Sequence, residues 1–140
     1  DNAAGQEAVN TYCKNNGYTD TSMGRMLLEK ASANENYTSA RDCSVFLKNI
    51  YENKLEHSED MLNLLKQQTR TEKIPKGIPS GVETANKTGE LDHVENDAAI
   101  VFDGENPYII CVMADNLSDT TEARQRIVDI SSVVYENISK

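Results

Sequence analysis

Glu83–Phe102, ETANKTGELDHVENDAAIVF, is the stretch whose reading decides the fold. Val82 to Glu90 alternates loosely between apolar and polar residues, and Ala98 to Phe102 is a short apolar run; together they read as two strands joined by a turn. Asp103-Gly104 then introduces a second turn before Tyr108–Ala114, a segment rich in β-branched residues. Three antiparallel strands follow from this. Lys87-Thr88-Gly89 closes the first of them. A lysine at a strand edge ordinarily stays solvated and guards against edge-to-edge pairing, so the tripeptide alone is a weak sign of chemistry.

Helical signals lie on either side of the strands. Downstream, Asp119-Thr120-Thr121-Glu122 is a capping box, and Ala123, Ile127, Ile130, Val134 and Ile138 predict an apolar stripe that packs a closing helix on the sheet. Upstream, Val9, Tyr12 and Cys13 predict a short helix over 6–16 that stops at Asn16-Gly17. Tyr18 to Tyr37 loses periodicity and collects Gly24, Ser32, Asn34 and Asn36, which predicts an irregular loop whose ends Arg25 and Glu35 could pin. The Met23, Met26, Leu27 and Leu28 positions within it read as core packing rather than a ligand lining. Thr38-Ser39 with Asp42 caps a second helix carrying Cys43, Phe46, Leu47, Ile50 and Tyr51. Ser58, followed by Glu59 and Asp60, caps a third that runs to about Thr69, after which Pro75, Gly77 and Pro79 break regularity. The class is therefore α+β: a helical region over about 6–69, strands over about 82–114 and a closing helix over about 119–138, within one domain. A three-stranded sheet leaves two unpaired edges, and one closing helix covers one face only.

Composition narrows the partners. A net charge of −9 with no cluster of lysines and arginines argues against nucleic acid or an anionic membrane surface, and no apolar run is long enough to span a bilayer. Asp1 to Gln6 carries no signal-peptide pattern. Cys13, Cys43 and Cys111 have no Cys-x-x-Cys spacing and read as buried free thiols, with a Cys13–Cys43 disulfide as the alternative. His57 and His93 have no carboxylate partner at metal-ligand spacing and read as solvated, so neither metal nor cofactor is expected.

Lys87-Thr88-Gly89 in its context resembles the class A β-lactamases and the wider penicillin-recognising serine hydrolases, whose Lys-Thr-Gly lies on the strand bordering the active site. Ile74 to Val82 looks like the family's lead into that strand, Asp97 to Ala114 like its next two strands, Asn36 to Asp42 like the exit from its Ω loop, and Arg25 like the arginine at the loop's start. The resemblance implies a β-lactamase-like fold acting by acyl transfer on β-lactams or D-alanyl cell-wall peptides outside the cytoplasm. Lys87 and Thr88 would hold a substrate carboxylate, Gly89 would let backbone approach the ligand, and Glu90 would lend its backbone N–H to the oxyanion, its side chain playing no part.

Three departures qualify this. No Ser-x-x-Lys occurs: Thr11-Tyr12-Cys13-Lys14 has the wrong first residue and Ser44 stands four positions before Lys48. No Ser-Asp-Asn occurs either, since Ser118-Asp119 continues to Thr120. The chain therefore resembles the C-terminal half of such a domain, with the N-terminal helix, two strands and the nucleophile expected from a missing half, on another chain or a swapped copy. Leu27 stands where class A enzymes carry the deacylating glutamate, and Glu95 about where several members place an arginine that assists the lysine. A catalytically inactive binding module of the same fold is the alternative expectation.

Overall fold

In the computed structural model, residues 2–26, 29 and 34–139 are described. Leu27, Leu28 and Ser32, and with Leu27 the glutamate position, lie outside the described residues. The first helix, α1 (Asn2–Asn15), starts four residues ahead of its expected beginning and ends before Gly17, which takes a φ of +80° as the stop signal requires. The chain then runs irregularly to Tyr37, held by one antiparallel bridge between Ser22 and Tyr37. Asn36 accepts the N–H groups of Gly24 and Arg25 on its side-chain oxygen, and Arg25 Nε meets Glu35 Oε2 at 2.7 Å, so both loop ends are pinned as expected.

Ser39 caps α2 (Ala40–Tyr51) by accepting from the Asp42 N–H. Asp42 does not complete the box by reaching back: its buried carboxylate accepts instead from the Asp20 N–H and the Thr21 hydroxyl, both at 2.8 Å, tying the loop to the helix. Helix α3 (Ser58–Lys66) is also capped differently from expectation. His57 sits at the cap position with φ +62° and no side-chain cap, while the Ser58 hydroxyl turns back to the N–H and carbonyl of Leu55. The helix stops three residues short of Thr69.

The sheet is antiparallel in the order β1–β2–β3, with β1 (Glu83–Leu91), β2 (Val94–Phe102) and β3 (Tyr108–Ala114). Strand β2 begins four residues before the expected Ala98, and Lys87 consequently lies inside β1, not at its end. Only Asp92 and His93, the latter at φ +63°, separate the two strands. Among the described residues the outer edges of β1 and β3 are unpaired.

The closing helix covers one sheet face, as expected, and α2 and α3 cover the other. On one face Ile74, Ile78, Ala99, Val101, Ile110 and Ile127 close a core under α4 (Thr120–Ile138); on the other Leu47, Ile50, Ala85 and Ile100 close a second under α2 and α3. Lys66 of α3 fastens the start of β1, meeting Glu83 at 2.6 Å and lying 4.5 Å over the Phe102 ring. The α4 stripe differs from its expected membership. Ala123 and Ile127 are buried and Val134 packs on the core, but Ile130 and Ile138 are exposed, and Ser131 is buried in their place. The reason is the close approach of the 3₁₀ turn Ile74–Gly77: a Cβ at Gly77 would overlap the Val128 carbonyl and stand 2.8 Å from Ser131 Cβ. Ser131 suits that crowding because it is small and its hydroxyl donates to the Ile74 carbonyl at 2.8 Å.

Reversing charge at Arg25 or Glu35 alone is expected to speed limited proteolysis between these residues, and reversing both is expected to restore resistance. Equal cleavage of single variants and parent would contradict the pinning.

Candidate active site

The register settles which side chains share a face. Lys87 pairs with Ala98 and Gly89 with Asn96, in the same set as Ala85 with Ile100, so Lys87 and Gly89 fall on the α2–α3 face. Asn86, Thr88 and Glu90 pair with Ala99, Asp97 and Glu95 and fall on the α4 face.

Between α1, α2, α3 and the first of these faces lies a cavity of about 770 Å³. Phe46, Leu47, Ile50, Met61, Leu65 and Met113 form its apolar wall. Tyr18 lines it as well, edge-on to Phe46 with ring centroids 5.8 Å apart. Lys87, Thr88 and Gly89, three of the four residues singled out in the sequence, line the polar part along β1; Glu90 is not among the lining residues. Lys87 is exposed, and its Nζ donates to the Thr88 carbonyl at 2.5 Å. Among the described residues no carboxylate pairs with Lys87. The two carboxylates in the wall, Asp42 and Asp97, are already engaged: Asp97 accepts from the Ile74 N–H at 3.0 Å and from Asn86 at 3.1 Å. Lys87 is thus an exposed ammonium lining a largely apolar cavity, without a carboxylate partner among the described residues.

Gly89 adds to this. Its φ is not positive, and a Cβ there would meet Asn96 only at 3.5 Å, an ordinary contact. Neither backbone conformation nor packing within the chain demands a glycine; an open strand edge meeting a ligand would.

Glu95 stands at the position compared above with a lysine-assisting arginine, and its own carboxylate turns away from Lys87. It lies on the α4 face, buried, with Lys73 Nζ at 2.8 Å and Arg124 Nη2 at 2.7 Å. Burial pushes its carboxyl up, but hydrogen bonds from Arg124 and Lys73, with their charges, outweigh this and hold it below the usual range. Asp97, whose hydrogen-bond donors are the uncharged Asn86 amide and Ile74 N–H, goes the other way: burial dominates and raises it. Burial, with Cys43 and Asp97 nearby, likewise pushes the Cys111 thiol up to about 12. All three cysteines are free; Cys13 is buried as expected, whereas Cys43 and Cys111 are half-buried.

Other candidates carry no site. His57 is exposed, and His93 in the β1–β2 turn places Nδ1 2.7 Å from the Leu117 carbonyl; among the described residues no group of side chains is arranged to hold a metal. Glu29, two residues past Leu27, accepts the Met26 N–H on its carboxylate. Lys73, Arg124 and Asn86 escaped the sequence reading because a lone charged or amide residue carries no signal until its partner, 11 to 29 residues away, is placed.

These features fall within a known group. The profile described as the β-lactamase enzyme family matches residues 1–138, and the chain belongs to that family. Its fold is that of the class A β-lactamases. A β-lactamase from Sphaerobacter thermophilus is 25% identical with a TM-score of 0.85, the match covering 96% of this chain and 54% of that one. PBP-A is 23% identical with a TM-score of 0.83 over 94% of this chain and 51% of its own. An ancestral class A β-lactamase is 19% identical with a TM-score of 0.82, over 94% and 55% respectively. The chain thus spans about half the length of these solved relatives. No curated protein matches it.

Because the Glu95 carboxyl is depressed in the fold, its contribution to stability is full above its ordinary value of 4.5 and fades as pH falls through the lower folded value. Urea midpoints between pH 3 and 7 are expected to drop toward acid more steeply for the parent than for Glu95→Gln; parallel curves would contradict the assignment.

Proposed function

We propose that this chain is the C-terminal half of a serine hydrolase domain that acts by acyl transfer on β-lactams or D-alanyl cell-wall peptides, outside the cytoplasm. The observation that carries the reading is Lys87: an exposed ammonium without a carboxylate partner among the described residues, on the strand that lines a largely apolar cavity. A variant of PBP-A has been solved as an acyl-enzyme complex with penicillin G, which makes the same class of ligand the natural candidate here.

In this reading Lys87 binds the substrate carboxylate, and its charge biases nearby proton transfers. Thr88, next to it in the wall, donates a hydrogen bond to the same carboxylate. Gly89 leaves the edge of β1 clear, so the scissile carbonyl lies along the strand with the Glu90 N–H as one oxyanion donor. The attacking serine comes from the rest of the domain, since the 140 residues hold no Ser-x-x-Lys. The serine oxygen bonds to the carbonyl carbon, the lactam or peptide C–N bond breaks, and the nitrogen leaves with a proton; water later cleaves the acyl ester. The apolar cavity wall and the unpaired edge of β3 are surfaces the remaining half would cover. No helix among the described residues is long and apolar enough to cross a membrane.

A fluorescent penicillin is expected to label the intact domain covalently and to leave the isolated 140-residue chain unlabelled. Lys87→Ala is expected to slow labelling about ten- to a hundredfold, the worth of a charge-assisted hydrogen bond of about 1.5–3 kcal/mol. A folded intact domain that never labels would instead mark an inactive binding module.

A further inference from the structure

A line of five charged side chains runs along the sheet face opposite the cavity. Arg70 Nη1 donates to Glu90 Oε2 at 2.8 Å, and Glu90 Oε1 lies 3.2 Å from Lys73 Nζ. Lys73 Nζ also donates to Glu95 Oε2 and to the Asn96 carbonyl, both at 2.8 Å, and Glu95 Oε1 accepts from Arg124 at 2.7 Å. The line joins the approach to the 3₁₀ turn, β1, β2 and α4. Its centre is deep: the Lys73 and Glu95 side chains are 2% and 1% exposed. Arg70 and Arg124, at its ends, reach solvent.

An ion pair buried this far adds little net stability compared with apolar residues of the same size, because both charges lose their hydration. What it does supply is a fixed geometry, and the strand it grips needs one. β1 is an edge strand, and in antiparallel pairing every second residue turns its N–H and C=O away from the neighbouring strand. Thr88 belongs to that outward set, since its carbonyl is free to accept from Lys87 Nζ, and Glu90, two residues on, belongs to it as well. No ladder bond therefore holds the Glu90 N–H, and Gly89 before it is the residue type that least restrains its backbone. The restraint present is the Glu90 carboxylate, clamped between Arg70 and Lys73 while Lys73 grips β2.

We infer that Glu90 is a positioning residue: clamped by Arg70 and Lys73 on the α4 face, its side chain fixes its own backbone N–H at the open edge of β1, the donor aimed at the oxyanion. The inference rests on the acyl-transfer reading for its consequence and on the ion line for its mechanism. It also replaces the expectation that only the backbone of Glu90 matters.

The test uses the intact domain and two variants that leave the buried Lys73–Glu95 pair in place, Glu90→Gln and Arg70→Gln. Two quantities are read: acylation by a penicillin, resolved into the dissociation constant of the first complex and the acylation rate constant, and the ¹⁵N order parameter of the residue 90 amide. In Glu90→Gln the acylation rate constant is expected to fall about ten- to a hundredfold, as for a misplaced reacting group, with the dissociation constant within about twofold of the parent. In Arg70→Gln the amide order parameter is expected to drop from about 0.85 toward 0.6 while the rest of β1 stays rigid. Unchanged acylation by Glu90→Gln would overturn the inference while leaving the acyl-transfer reading standing. If the parent itself is not acylated, that reading fails and the amide decides alone: loosening in Arg70→Gln upholds the clamp, and an equally rigid amide overturns it.

Discussion

The pairing of β1 with β2 is the constraint on which the rest of the structure depends. Lys87 opposite Ala98 and Gly89 opposite Asn96 place one side chain and one bare backbone position on the α2–α3 face. Side chains alternate with a period of two, so a slip of one residue would send Lys87 to the α4 face and turn Glu90 to the α2–α3 face. Such a slip is opposed from both faces. It would withdraw Ala85 and Ile100 from Leu47 and Ile50, and would pull Glu90 away from Lys73 and Asn86 from Asp97. A two-residue turn leaves little slack to absorb the change.

From that register the two sides of the sheet acquire different work. The α4 side is closed, and its buried Lys73, Glu95, Asn86, Asp97 and Ser131 each have a partner, while the Tyr108 hydroxyl beside them has none. The α2–α3 side closes over Ala85 and Ile100 but opens toward α1 into a cavity with mostly apolar walls. Its rim leaves Tyr12, Phe46 and Leu64 partly in water, as does the outer side of α4 with Ile130 and Val133. Exposed large apolar side chains grouped beside a cavity are the kind of surface that marks an interaction site.

Much of the fold could be read from local patterns because those patterns act locally. Ser39 and Asp119 cap α2 and α4 through their own neighbours, and the hairpin of β1 and β2 follows from two short β-forming runs around a turn. Errors arose where a distant element decided. Ile130 matches the helical period as well as Ser131 does, but only the approach of Gly77 shows which of them faces inward. Ser58 has the chemistry of a cap, yet the Leu55 backbone takes its hydroxyl. In the site, Lys87, Thr88 and Gly89 were legible as a tripeptide on a strand, and the structure brings all three to the cavity wall. The ion pairs of Glu95 were not legible, because the pairing with Glu90 decides which face its side chain takes and its partners Lys73 and Arg124 lie 22 and 29 residues away. No window of sequence contains them all.

The central claim is that the register presents Lys87 to an incoming carboxylate at the edge of β1. A crystal structure of the intact domain with a bound penicillin tests it most directly. The account predicts the ligand carboxylate within about 3 Å of Lys87 Nζ, the distance of a charge-assisted hydrogen bond, with the ligand lying along the β1 edge past Gly89. A penicillin bound elsewhere, with Lys87 Nζ still on the Thr88 carbonyl and turned to water, would contradict it.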